Sequence, residues 1–277
     1  MQGSFRRDDC VMKTGICSIT FRSLRVEELV ALASEAGRDA VEWGSDVHVP
    51  PGDVEAARRA RQATLDAGLE VSSYGSYYSP LDADGVPEDF EPVLESALAL
   101  GTDTIRIWAG KHGSGDAPEG HRKHLVDETR RIAALAEKAG VKLGFEFHTK
   151  TLMDSNESAL QLLEEINQPN VYSYWQPPYW RMDMDYRFEG IGLLGDRLLN
   201  LHVFQWDFDD SGEQSWVDSI TRLPLSAGEE EWSRYLSAAR NHNGYALLEF
   251  TRNDSAGQFL QDAATLKHWI KKQDEQI

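Results

Sequence analysis

The sequence predicts an α/β protein built as a single (β/α)8 barrel, and three observations carry that expectation. First, four segments share one grammar: a helical run, Ala-Gly or Leu-Gly, two or three residues, then a β-rich run. They are SEAGRDAVEW, LDAGLEVSSY, LALGTDTIRIW and EKAGVKLGFEF, with glycines at Gly37, Gly68, Gly101 and Gly140. Their spacing, about 30 to 40 residues, is that of one βα unit. Second, the chain of 277 residues holds about eight such units, and a (β/α)8 barrel takes roughly 250 residues. Third, the rival open doubly wound sheet calls for a glycine-rich phosphate loop after the first strand, and GICSIT runs on without one.

The elements follow in order. Glycine after each helix suits the left-handed position that closes it. Val26, Leu29, Val30 and Ala33 recur at helical spacing, as do Leu125, Ile132, Leu135, Ala136 and Ala139. The β-rich runs predict strands at 14–19, 40–44, 69–75, 104–109, 142–148, 171–176, 198–204 and 245–250. The sixth helix, after the aromatic-rich stretch 177–188, has the weakest pattern. Residues 1–12 read as a flexible leader and 13–277 as one barrel domain, because no Pro/Gly/Ser-rich linker divides the chain.

Composition narrows the function classes. Lys and Arg total 28 against 46 Asp and Glu, a net charge of −18, which disfavours nucleic acid and anionic membranes as partners. No apolar run is long enough to span a bilayer, and MQGSFRRDDC lacks the apolar segment of a signal peptide. Cys10 and Cys17 are the two cysteines. Cys17 reads as a small core residue in the first strand, and a cytoplasmic location is expected.

Four polar residues stand where apolar strands end: Glu146 in KLGFEFHTK, Gln176 in VYSYWQPP, His202 in LLNLHVFQW and Glu249 in YALLEFTRN. A buried carboxylate or imidazole is costly unless paired or metal-bound. One per strand, in succession, they point to a single site at the C-terminal mouth of the barrel, where active sites of this fold are built. Two carboxylates, an imidazole and an amide oxygen form a hard donor set suited to Mn2+, Mg2+ or Co2+ more than to a thiolate-type zinc site.

The same frame assigns further mouth residues. Strand two contributes Glu42 and Trp43, with His48 in the next loop; strand three contributes Tyr74 and Tyr77; strand four contributes Arg106 and Trp108. The two-residue strand period adds His148 beside Glu146, Trp206 after His202 and Arg252 after Glu249. Aromatic rings among a few fixed polar groups suit a sugar, whose faces are apolar and whose rim is hydroxyls. Each ring taken singly is equally compatible with ordinary packing at the barrel rim.

With these residues in view, the chain resembles the xylose-isomerase-like TIM-barrel family, the sugar phosphate isomerase/epimerase group. The resemblance runs from VEWGSDVHVP through IRIWAG, FEFHTKTLMDS and NLHVF to LLEF. It implies one divalent metal ion, Mn2+ first with Mg2+, Co2+ or Zn2+ as alternatives, held by Glu146, Gln176, His202 and Glu249. It further implies that Glu146 and Glu249 exchange protons with the substrate. The expected activity is isomerisation or epimerisation of a sugar by proton transfer next to a carbonyl, through an enediolate. The alternatives are a lyase or hydrolase acting on 3-oxo-sugars or glycosides and a non-catalytic sugar-binding barrel. A homo-oligomer is compatible with the sequence. The chain departs from the family on strand six, where Gln176-Pro177-Pro178-Tyr179 replaces the usual Asp-x-x-His, so one ligand charge is lost; Asp183 or Asp185 in the next loop could replace it. No glycine-rich phosphate cup follows strands seven or eight, and an unphosphorylated substrate is expected. The long acidic stretch DFDDSGEQSWVDS after strand seven reads as a loop that shields the mouth or makes a subunit contact, or equally as a substrate lid.

Overall fold

The computed structural model describes residues 12–209, 219–240 and 242–275. Strands and helices alternate: β1 (Lys13–Cys17), α1 (Val26–Glu35), β2 (Ala40–Gly44), α2 (Val54–Asp66), β3 (Glu70–Gly75), α3 (Glu91–Leu100), β4 (Thr104–Ile107) and α4 (His121–Lys138). There follow β5 (Lys142–Phe145), α5 (Asn156–Ile166), β6 (Val171–Trp175), α6 (Met184–Leu194) and β7 (Leu198–Val203). The chain then inserts β8 (Gln205–Phe208) and β9 (Ile220–Leu223) before α7 (Glu229–Ala238), β10 (Tyr245–Leu248) and α8 (Ala256–Asp274). The barrel order is β1-β10-β7-β6-β5-β4-β3-β2, closed by β1 pairing in parallel with both β10 and β2. All eight predicted strands are present.

The helix ends follow from the glycines. Gly37, Gly68, Gly101 and Gly140 all have positive φ, between 61° and 73°, a conformation that costs a residue with a Cβ about 1–2 kcal/mol. Outward-facing strand residues pack under the helices. Trp43 of β2 is fully buried and its indole N–H donates to Thr64 Oγ1 of α2 at 3.1 Å. Trp175 of β6 meets Trp232 and Tyr235 of α7 at 6.4 and 5.0 Å between ring centroids. Burying a large apolar side chain of this kind contributes about 1.5–3 kcal/mol, and this shell holds the barrel in shape.

The acidic stretch after strand seven, expected as a loop, is flanked by the antiparallel pair β8–β9, with Trp206 opposite Arg222 and Phe208 opposite Ile220. Residues 210–218 lie outside the described residues. The expected leader also lies outside them, together with Cys10, except that Met12 is buried in the core beside β1. Among the described residues no helix is long and apolar enough to cross a membrane.

Candidate active site

Six polar side chains converge inside the barrel at the C-terminal ends of its strands. Glu42 on β2, Arg106 on β4 and His202 on β7 lie within strands, while Glu146, Gln176 and Glu249 stand one residue past β5, β6 and β10. None is more than 4% exposed, so their charges are compensated within the protein. Arg106 is the hub: its Nε donates to Glu42 Oε1 at 3.1 Å and its Nη1 to Glu146 Oε2. Ser73 Oγ donates to Glu42 Oε2 at 2.7 Å, and Trp108 Nε1 donates to Glu146 Oε2 at 2.7 Å.

His202 sits in the middle of the carboxylates. Its Nε2 lies 3.4 Å from Glu42 Oε1; its Nδ1 lies 3.4 Å from Glu249 Oε2 and 3.9 Å from Glu146 Oε1. None of these contacts is aligned as a hydrogen bond, and both ring nitrogens are buried without a hydrogen-bond partner. Orphaned buried nitrogens are rare in native proteins and call for an explanation. A divalent ion supplies one, because donors about 2.0–2.2 Å from one ion stand at separations of this size. His202 and Glu249 therefore fit such an ion and, with Cys17 of β1, bring donor atoms within 4.8 Å of one another, while Glu146 Oε1 stands 3.9 Å from His202 Nδ1 as a further donor. Gln176 donates its Nε2 to the Phe147 carbonyl at 2.7 Å, which leaves the amide oxygen as the ligand atom it can offer. Neither loop acid replaces it: Asp183 caps α6, accepting from Asp185 N and Tyr186 N, and Asp185 pairs with Arg234 at 2.7 Å.

The cluster divides its protons unequally. Burial opposes ionisation of Glu42, but Arg106, His202 and Ser73 outweigh it and hold its pKa far below the usual carboxylate range. Burial likewise opposes ionisation of Glu146, and Arg106, with His148 and His202, brings its pKa below normal. At Glu249 burial outweighs the opposing pull of His202 and, reinforced by Glu146, raises its pKa. At His202 burial favours the neutral ring, yet Glu249 and Glu42 prevail and raise its pKa.

Above this cluster lies a cavity of about 90 Å3 lined by Arg106, Trp108, Glu146, His148, Gln176, Trp206 and Glu249, together with Ile19, Tyr77, Tyr179 and Phe250. His148 stacks on Trp108 at 4.8 Å and its Nδ1 is 2.7 Å from the Thr149 carbonyl, so Nδ1 donates to the backbone and Nε2 is left uncommitted by it. Trp206, carried in by β8, stacks on Phe204 at 4.2 Å and leaves its buried indole N–H without a partner. Arg106 Nη2 is likewise unpartnered. Phe250, next to Glu249, has φ of +54°, a strained conformation of the sort found at functional sites. A larger hollow of about 490 Å3 opens at the other end of the barrel, against Lys142, Leu198 and His242. It is remote from the carboxylates, and in this fold that end serves stability.

Five expected substrate contacts do not line the cleft. Trp43 and Tyr74 point outward, Tyr74 donating its hydroxyl to the Val49 carbonyl at 2.8 Å. Their neighbours Glu42 and Ser73 face inward, so strand parity sends the rings to the helices. His48 is buried against Trp43, with Nε2 3.0 Å from the Leu24 carbonyl. Arg252 is exposed and its Nη2 donates to Gln258 Oε1 of α8 at 3.2 Å. Glu42 lies beneath the cleft as a partner of Arg106 rather than on its wall. Tyr77 is on the wall, as are Ile19, Tyr179 and Phe250, for which no sequence signal was read. Adjacency of Phe250 to Glu249, and of Tyr179 to the Gln176 turn, was the available clue.

Residues 30–272 match the family model described as xylose isomerase-like TIM barrel. A 3-dehydroshikimate dehydratase of Bacillus anthracis is 30% identical over 171 residues, 58% of this chain and 60% of that protein. The chain thus spans 60% and 49% of the lengths of the curated relatives it matches. Among solved structures, the probable 3-DHS dehydratase of Bacillus anthracis superposes with a TM-score of 0.76 at 20% identity, covering 92% of this chain and 99% of that one. A D-psicose 3-epimerase bound in the presence of D-fructose gives 0.69 at 15% identity, covering 94% and 99%. At these identities the structural likeness establishes the barrel alone.

Proposed function

The chain belongs to the xylose isomerase-like TIM barrel family, and from that premise we propose that it is an isomerase or epimerase moving a proton at the carbon next to the carbonyl of a small, unphosphorylated sugar or sugar derivative. The observation that carries this reading is the approach of two buried carboxylates, Glu146 and Glu249, to the same ring nitrogen of His202 beside one cleft. One glutamate removes the proton and the other returns it, on the opposite face or at the neighbouring carbon. Arg106 and Trp108 hold Glu146 in place through its Oε2. Arg106 Nη2 and Trp206 Nε1 are free donors for substrate oxygens, and His148 Nε2 is a further polar contact for a substrate hydroxyl. The stacked rings of Trp108, Tyr179 and Trp206 cover the apolar faces of the substrate. A divalent ion held by Glu146, His202, Glu249 and the Gln176 oxygen would stabilise the negative charge that forms on the substrate oxygen.

A second reading is a dehydratase, favoured by the 30%-identical relative of that name. It shares the first proton transfer; the electron pair then expels hydroxide from the β-carbon rather than being reprotonated. Incubation with free ketoses, aldoses and cyclic hydroxy-ketones in D2O, with divalent metal added, separates the readings. An isomerase or epimerase yields deuterated isomers, a dehydratase an unsaturated product absorbing in the near ultraviolet. Glu146→Gln and Glu249→Gln each should lower exchange by at least about a hundredfold, the scale of a general acid–base contribution. Full exchange in either variant refutes the two-glutamate mechanism, and a barrel that binds sugars without any exchange is a binding protein.

A further inference from the structure

We propose that Cys17 is a ligand of the divalent ion, so that a thiolate from the first strand supplies the negative charge that strand six lacks. This deepens the metal-assisted reading above and rests on it. Cys17 ends β1 and is the register neighbour of Glu42 on β2. Its sulfur, a ring nitrogen of His202 and a carboxylate oxygen of Glu249 all lie within 4.8 Å of one another. All three residues are buried, at 1%, 0% and 4% exposure, and Cys17 forms no disulfide. The second observation is His202 itself, whose two buried nitrogens have no hydrogen-bond partner. Ordinary packing accounts for a buried thiol beside Ile19, Tyr174 and Leu247, whereas the contacts of His202 with Glu42 and Glu249, at 3.4 Å, are not hydrogen bonds and leave its ring nitrogens open to a ligand.

The chemistry is consistent with the departure at Gln176. With a neutral amide there, Glu146 and Glu249 alone balance the two charges of the ion. A thiolate adds the third negative charge, and its softness shifts the preference from Mn2+ and Mg2+ toward Zn2+ and Co2+. On binding, the S–H proton leaves to solvent as the sulfur lone pair enters the metal shell, with no change of oxidation state. The thiolate group draws on β1, β7 and β10, with Glu146 after β5 and the Gln176 oxygen after β6 as the further donors at its side.

The test uses the full chain loaded with Co2+, read by absorbance. A thiolate ligand produces a sulfur-to-cobalt charge-transfer band in the near ultraviolet; we expect it in the wild type and in Cys10→Ser, but not in Cys17→Ser. Competition titration should show Zn2+ binding to Cys17→Ser weakened by at least about tenfold, at the low end of what loss of even an outer-sphere partner costs. Co2+ bound by the wild type without that band, or the band persisting in Cys17→Ser, overturns the thiolate assignment while the metal reading stands. Failure of the wild type to hold any divalent ion overturns both. Should Cys17→Ser not fold, sulfur scattering at the Zn2+ absorption edge of Cys10→Ser decides, since Cys17 is then the one cysteine left in the chain.

Discussion

The residue on which the site's electrostatics turn is Glu42, although it does not touch the cleft. It accepts from Arg106 and Ser73 and lies 3.4 Å from His202, so removing its charge leaves a buried guanidinium with Glu146 as its remaining ionic partner. Breaking a buried pair in this way costs about 3–5 kcal/mol, far more than any exposed pair. Glu42→Gln should therefore lower the unfolding free energy in urea by about that amount at pH 7. The pH dependence has a definite sign. The folded-state pKa of Glu42 lies far below its ordinary 4.5, so its contribution is complete above about pH 4.5 and is lost as pH falls below that value. The stability gap between wild type and Glu42→Gln should accordingly be widest at neutral pH and shrink toward pH 3. A gap that stays constant across that range would show that the ionised form of Glu42 is not what the fold uses.

At the scale of elements, β3 shows how a strand makes room for that ion cluster. A Cβ on Gly75 would stand 2.8 Å from Glu42 Oε1 and 3.0 Å from Arg106 Nη2, both deeply buried. Gly75→Ala should then cost about 1–3 kcal/mol by overpacking and disturb the cleft above. Gly68→Ala after α2, where a Cβ meets nothing within 4 Å, should cost only the left-handed backbone penalty of about 1–2 kcal/mol and leave metal binding intact. Parallel urea titrations and metal affinities of the two variants check this contrast. The strands themselves were legible in the sequence because four of the β-rich runs follow a helix-closing glycine and set the repeat, and the polar residues stood out against apolar runs. Which aromatic faced the mouth was not legible. Barrel strands are buried on both faces, so Trp43 and Tyr74 carry no alternation to reveal that they point to helices. The partner of His48, the Leu24 carbonyl, belongs to another loop, and only the closed barrel brings the two together. The hairpin β8–β9 was hidden by its acidic residues, which read as loop. Its pairing is settled by the opposite strand, information that no local window contains.

For the whole molecule the dominant quantity is charge. The chain carries 46 acidic against 28 basic side chains, and most of the excess must lie outside the barrel, since the buried cluster balances much of its own. Self-repulsion of a surface this acidic opposes the compact state. The surface also holds exposed ion pairs, such as Lys13 with Glu70 and Lys123 with Asp127, which contribute little and are weakened by the same salt that relieves repulsion. Repulsion should win, because the net charge of −18 leaves many carboxylates without a cation to pair with. Inside the barrel the Glu42–Arg106–Glu146 contacts are shielded from solvent and are screened much less. Raising NaCl from about 10 mM to about 300 mM, which shortens the screening length from about 30 Å to below 10 Å, should therefore raise the melting temperature at pH 7. The rise should largely vanish near pH 4.8, the isoelectric point, where the net charge to be screened is close to zero. Differential scanning calorimetry at the two salt concentrations and two pH values makes the comparison. A melting temperature that falls with salt at pH 7 would mean that the exposed ion pairs, rather than the excess of negative charge, govern the stability of this surface.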